Sequence, residues 1–115
     1  MAVTIYHNPR CSKSRETLAL IEKQGIRPNV IEYLKQPPSA AELDAILRMM
    51  GMEPRGLMRK KEAPYATLNL DDTRLSRQAL IAAMVKTPIL IERPIVVSGN
   101  KAALGRPPEA VLEIL

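Results

Sequence analysis

The sequence predicts an α/β fold, a mixed sheet flanked by helices and assembled as βαβ, then helices, then ββα. Three observations predict it. Short strand-like runs at Val3-Thr4-Ile5-Tyr6 and Val30 to Leu34 bracket a helical pattern from Cys11 to Lys23. The middle of the chain, from Pro37-Pro38 to Pro88, carries helical segments opened by Ser39 and Ser76. Near the end, the turn pair Gly99-Asn100 separates two further strand-like runs.

Each element has its own signal. Val3 to Tyr6 alternates apolar and more polar positions, as a short strand does, and the following helix buries Leu18 and Ile21 and stops at Gly25. Val30 to Leu34 is β-branched and aromatic, so the first third reads as a βαβ unit whose two strands run parallel. Ser39-Ala40-Ala41-Glu42 is a capping box ahead of an apolar face formed by Leu43, Ile46, Leu47 and Met50, with Gly51 ending the helix. Pro54 to Met58 reads as a short helical turn. Ser76 caps a third long helix through Leu80, Ile81, Met84 and Val85, which ends before Pro88. Pro94 to Ser98 and Lys101 to Leu104 form the hairpin, and Pro107-Pro108-Glu109 opens a C-terminal helix. This order matches the thioredoxin-like arrangement with a helical insertion between its halves.

The 115 residues are 46% hydrophobic and 25% charged, which fits one domain spanning residues 1–115. Phe and Trp are absent, so the core is aliphatic. A chain of this size buries somewhat under about 70% of the surface exposed on unfolding, enough to fold without disulfides or a structural metal. The longest apolar run, Leu80 to Val85, is far too short to span a bilayer, and the N-terminus lacks the pattern of a secretory signal. A cytoplasmic protein with no membrane partner is expected. Seventeen Lys and Arg against twelve Asp and Glu give a net charge of +5. Those cations are scattered, and stacking aromatics are nearly missing, so a small anion is expected as partner rather than a nucleic acid.

The chemistry centres on one cysteine. His7-Asn8-Pro9-Arg10-Cys11-Ser12-Lys13-Ser14-Arg15 lies between the first strand and first helix, where open α/β sheets expose their ligand crevice. Cys11 therefore stands at a helix N-terminus, whose unpaired N–H groups and dipole stabilise a thiolate and an oxyanion beside it. Helices ordinarily carry Asp and Glu in the first turn, yet here Arg10, Lys13 and Arg15 crowd the site. A free cysteine is often an inert buried hydrophobe, but this setting favours a reactive thiol of depressed pKa. His7 either closes the strand as a hydrogen-bonded residue or tunes the thiol electrostatically. One Cys, one His and dispersed carboxylates offer no zinc spacing, so no metal is expected.

His7-Asn8-Pro9-Arg10-Cys11, with Ser14-Arg15 and Thr17-Leu18, resembles the active-site signature of the glutaredoxin-coupled arsenate reductases, the ArsC family. Leu57-Met58-Arg59-Lys60-Lys61 with Pro64-Tyr65, then Glu92-Arg93-Pro94-Ile95-Val96-Val97, then Gly105-Arg106-Pro107-Pro108 resemble its other blocks in order and separation. The resemblance implies a thioredoxin-like fold, Cys11 as nucleophile, and Arg59, Arg93 and Arg106 as ligands of the arsenic oxyanion. It further implies His7, Asn8, Ser14, Arg15 and a cis-linked Pro94 as supporting residues, with glutathione as reducing co-substrate, glutaredoxin as partner and no bound cofactor. Guanidinium groups suit this task because they grip tetrahedral oxyanions in bidentate fashion. Taken singly, each arginine also fits ordinary surface salt bridging, and Pro94 fits the first residue of an edge strand.

The chain departs from the better-known reductases in having Ser12-Lys13 where they have Gly-Thr after the cysteine. The regulatory branch of the superfamily often has a second cysteine three residues after the first, and Ser14 stands there instead. Besides arsenate reduction, the sequence is compatible with a regulatory or binding module, or with a glutathione-dependent thiol reductase of another substrate.

Overall fold

Alternation at the N-terminus produces strand β1, Val3–His7, with Val3, Ile5, Tyr6 and His7 buried. The computed structural model describes residues 2–115, which divide into two compact units, one of residues up to 36 with 93–115, the other of residues 37–92. In the first unit β1 leads into α1, Ser12–Lys23, and then into β2, Asn29–Glu32, which pairs parallel to β1 with Ile5 opposite Val30. Strands β3, Ile95–Ser98, and β4, Lys101–Leu104, form the hairpin around Gly99-Asn100. The hairpin adds antiparallel to the other side of β1, with Ile5 opposite Val96, giving the sheet order β2-β1-β3-β4. Gly99 takes a positive φ of 61°, a value that costs glycine little. Val3, Ile5, Ile21, Val96 and Val111 form an aliphatic buried cluster at this sheet. The core as a whole is not purely aliphatic, because Tyr6 and the fully buried Tyr33 belong to it as well.

In the second unit α2, Ala40–Met50, begins at the capping box, where Ser39 Oγ accepts the Glu42 N–H and Glu42 Oε1 accepts the Ser39 N–H. Gly51 ends it in the left-handed conformation. A short helix α3, Ala63–Thr67, follows, then α4, Arg77–Lys86, capped by Ser76 Oγ accepting the Ala79 N–H. Helices α2 and α4 pack together, burying Leu43, Ile46 and Leu47 on one and Leu80, Ile81 and Met84 on the other. Arg77 Nε donates to Asp44 Oδ1 at 2.8 Å between them.

The structure corrects three boundaries. Strand β2 ends at Glu32, so Tyr33 and Leu34 fall in a turn, because the Glu32 carbonyl accepts the N–H groups of Lys35 and Gln36. Strand β3 starts at Ile95, which leaves Pro94 ahead of the ladder. The C-terminal helix, Pro108–Glu113, is a 3-10 helix, with Ile114 N–H donating to the Val111 carbonyl. Six residues make few i to i+4 bonds, and the fully buried Val111 fixes the phase of the segment. Helix α3 and a 3-10 turn at Pro88–Leu90 carried no signal distinct enough to predict. No helix among the described residues is long and apolar enough to cross a membrane.

Candidate active site

The strand-to-helix turn builds the site. Asn8 Oδ1 accepts the Arg10 N–H at 3.0 Å and the Asn8 carbonyl accepts the Cys11 N–H at 3.0 Å, which folds residues 8–11 into a tight turn. Cys11 ends that turn as the N-cap of α1, in extended conformation, with its carbonyl accepting the Arg15 N–H. Its side chain is only 8% exposed. Burial pushes the Cys11 thiol up, and this is the largest single influence. Against it act the Ser14 N–H, the charge and hydrogen bond of the Arg93 guanidinium, and the Lys13 N–H. Together they prevail, so the thiol sits below the ordinary cysteine range, as its place at the helix start predicted.

Two of the three predicted arginines gather at this sulfur. Arg93 interacts with it directly. Arg106 Nη1 donates towards Sγ at 4.0 Å while also donating to the Arg93 carbonyl at 3.1 Å. The Arg93-Pro94 bond is cis. Arg59 belongs to the other unit, where its N–H donates to the Leu90 carbonyl beside the antiparallel bridge from Met58 to Ile91. There its guanidinium pairs with Glu62 at 3.0 Å and lies 3.8 Å from Glu92.

The first-turn cations act differently from the expectation. Lys13 pairs with Glu16 at 3.6 Å, Arg15 Nη1 donates to the Pro9 carbonyl at 2.9 Å, and Arg10 is exposed. Side chains of a first turn radiate from the helix axis, so closeness in sequence does not bring these charges to Sγ. The charged side chains that reach Sγ are instead those of Arg93, whose charge and hydrogen bond lower the thiol pKa, and Arg106.

His7 is buried, its Nδ1 2.6 Å from Ser14 Oγ. Burial pushes its pKa down; Glu32 opposes this and Arg15 adds to it, so the imidazole is neutral at neutral pH. A neutral ring supplies no positive charge to the thiolate, and the contact the structure gives His7 is the hydrogen bond to Ser14. Ser14 Oγ also accepts the Asn8 N–H at 3.0 Å. The fully buried Ser14 is thus fixed from two sides, and its N–H is a principal donor to Sγ.

Thr17 and Gly105 appeared in the sequence only as parts of motifs, yet they join α1 to the segment bearing the arginines. Thr17 Oγ1 donates to the Lys13 carbonyl at 2.7 Å and lies 3.4 Å from the Gly105 carbonyl. Gly105 N–H donates to the Pro94 carbonyl. A Cβ on Gly105 would strike Thr17 and come within 2.8 Å of Pro94 Cγ, so only glycine permits this approach. Among the described residues, no three His, Cys, Asp or Glu side chains gather where they could share a metal ion.

This arrangement of a thiol between a helix start and two guanidinium groups invites comparison with known proteins. The ArsC family model matches residues 6–114. The chain belongs to the ArsC family. A curated member, the arsenate reductase of Haemophilus influenzae, is 53% identical over the whole of both chains. YfgD of Escherichia coli K12, uncharacterized, is 58% identical across 98% of this chain and 96% of its own. Among solved structures, the arsenate reductase from Vibrio cholerae superposes with a TM-score of 0.96 at 59% identity, covering 100% of this chain and 98% of that one. The fold is therefore the thioredoxin-like one of the ArsC proteins, as the element order predicted.

Proposed function

We propose that this ArsC protein is an arsenate reductase working through its single cysteine. The observation that carries the reading is the Cys11 thiol, depressed in pKa and flanked by the Arg93 and Arg106 guanidinium groups. A thiolate beside planar, bidentate cations suits attack on a tetrahedral oxyanion. Relatives named as arsenate reductases at about half identity support arsenate as that oxyanion.

In this reading the Cys11 thiolate attacks arsenic(V), a sulfur–arsenic bond forms, and one arsenic oxygen departs as water after protonation. A glutathione thiolate then attacks Sγ. The sulfur–sulfur bond forms as the sulfur–arsenic bond breaks, and its electron pair stays on arsenic, which leaves as arsenite. The two sulfurs are oxidised to a mixed disulfide, which glutaredoxin reduces to restore Cys11. Arg93 and Arg106 bind the oxyanion, and Arg59 joins them on the family resemblance. His7 and Asn8 hold Ser14, whose N–H faces the thiolate. Arg15 anchors the Pro9 carbonyl, and Pro94 abuts Gly105 in the segment between the two arginines. This reading calls for no bound cofactor, and its dependence on reducing thiols favours the cytoplasm as the compartment in which the protein works.

The test is arsenite formation by purified protein with arsenate, glutathione and glutaredoxin. Turnover above the Cys11→Ser protein is expected; rates equal to that control would reject the reading.

A further inference from the structure

Of the three cations that crowd the nucleophile loop in sequence, Lys13 pairs with Glu16 and Arg15 holds the Pro9 carbonyl. Arg10 contributes only its backbone N–H to the site described so far, and its side chain takes no part in it. Its exposed side chain borders a cavity of about 340 Å³ at the end of the parallel strands β1 and β2. One wall is the turn that ends in Cys11. Glu32, the exposed Leu34 and Lys35 line it from the segment closing β2. The volume is at the lower end of the range for small-molecule sites. Lys35 Nζ lies 3.7 Å from Glu32 Oε1, so the cavity presents two cations and one carboxylate around an apolar leucine.

That charge set has a complement in the reaction. A chain with one cysteine cannot resolve its own oxidised sulfur, so the second thiol comes from outside and must approach Cys11. We propose that this cavity is the subsite of the reducing thiol, which carries two carboxylates and one ammonium, the charges of glutathione. The proposal rests on the reading of Cys11 as a thiol-coupled nucleophile. Arg10 and Lys35 take the carboxylates, Arg10 in the fork geometry suited to them. Glu32 accepts the ammonium, and Leu34 covers the aliphatic part of the peptide.

Thiol–disulfide exchange tests this without arsenate. The Cys11 thiolate attacks one sulfur of oxidised glutathione; a Cys11–glutathione disulfide forms, and the other glutathione leaves as a thiolate. The rate constant for oxidised glutathione is divided by that for the neutral 2-hydroxyethyl disulfide, which cancels changes in thiol reactivity. Arg10→Glu should lower this ratio roughly tenfold, Lys35→Glu by a smaller factor, and Arg10→Lys, which keeps the charge but loses the fork, should lower it less than Arg10→Glu does. Lys13→Glu makes the same charge change beside Cys11 but outside the cavity, and should lower the ratio less than about threefold. An unchanged ratio in Arg10→Glu overturns the subsite. So does a loss in Lys13→Glu as large as in Arg10→Glu, because general repulsion then explains both. A ratio unchanged while glutaredoxin-dependent turnover falls also overturns it and assigns this face to the protein partner. Failure of arsenate turnover with the selectivity intact counts against the proposed substrate alone.

Discussion

The Nδ1 of His7 and the hydroxyl oxygen of Ser14 lie 2.6 Å apart in the interior, at the junction of β1 and α1. The bond ties the last residue of the central strand to the first turn of the nucleophile's helix. Ser14→Ala deprives a buried imidazole and the Asn8 N–H of their partner, each of which costs on the order of 1–3 kcal/mol when left unsatisfied. Thermal or urea denaturation should register a loss of about 2 kcal/mol or more, the part-buried Asn8 N–H contributing at the low end, and the Cys11 thiolate titration should move upward as the Ser14 N–H loses its fixed position. Wild-type stability and an unmoved titration would mean the bond is incidental.

The same histidine sets a pH dependence. Its folded pKa lies below the ordinary 6.5, chiefly through burial, so the unfolded chain binds the proton more readily than the folded one. The stability it contributes is therefore complete above pH 6.5, declines as pH falls below that value, and levels off once pH has passed the folded pKa. His7 is the chain's one histidine, so His7→Gln should flatten this limb of the stability profile without the background of other imidazoles. A limb unchanged in His7→Gln would assign it to other groups.

Arg93 makes a second contribution to the thiolate. Replacing it with Leu removes both a charge and a hydrogen bond from Sγ, so ultraviolet titration of Cys11 should shift upward relative to wild type. Arg93→Lys should shift it less, because the charge remains. Equal titrations in all three proteins would remove Arg93 from the activation of the nucleophile.

The lysine exchanges also separate charge from geometry in substrate binding. Arg59→Lys, Arg93→Lys and Arg106→Lys preserve net charge but lose the planar fork, and each should lower kcat/KM for arsenate by about tenfold or more. Arg106→Lys additionally gives up the bond to the Arg93 carbonyl, so its loss should include a change in kcat as well as KM. Steady-state kinetics decides this. Three variants with wild-type constants would leave the arginines as ordinary surface charges.

How far the site could be read beforehand follows from the range of each interaction. The placement of Cys11 was legible because helix starts, caps and turns are local: a strand pattern, Asn8-Pro9 and a helix pattern suffice. The capping box at Ser39 and the hairpin at Gly99-Asn100 were legible for the same reason. The pairing of Cys11 with Arg106 bridges 95 residues and entered through the family motif alone. First-turn cations were misread because sequence distance says little about where long side chains reach. The Thr17–Gly105 contact was invisible, since a glycine in a motif does not announce what it leans against.

That contact yields its own prediction. Gly105→Ala places a methyl against the Thr17 side chain and the Pro94 ring, a β-branched side chain and a closed ring that have little freedom to move aside. Overpacking of this kind typically costs about 1–3 kcal/mol, and for a domain near this size each kcal/mol lowers Tm by roughly 4–8 °C. Because Gly105 precedes Arg106 and bonds to Pro94, the displaced segment should also loosen the hold of both arginines on Sγ, raising KM for arsenate. Thr17→Ala in the same protein removes two of the three atoms that the new methyl meets, so the double variant should recover part of both losses. Strict additivity of the two single effects would show that Thr17 and Gly105 act independently, and that helix α1 is positioned by other contacts.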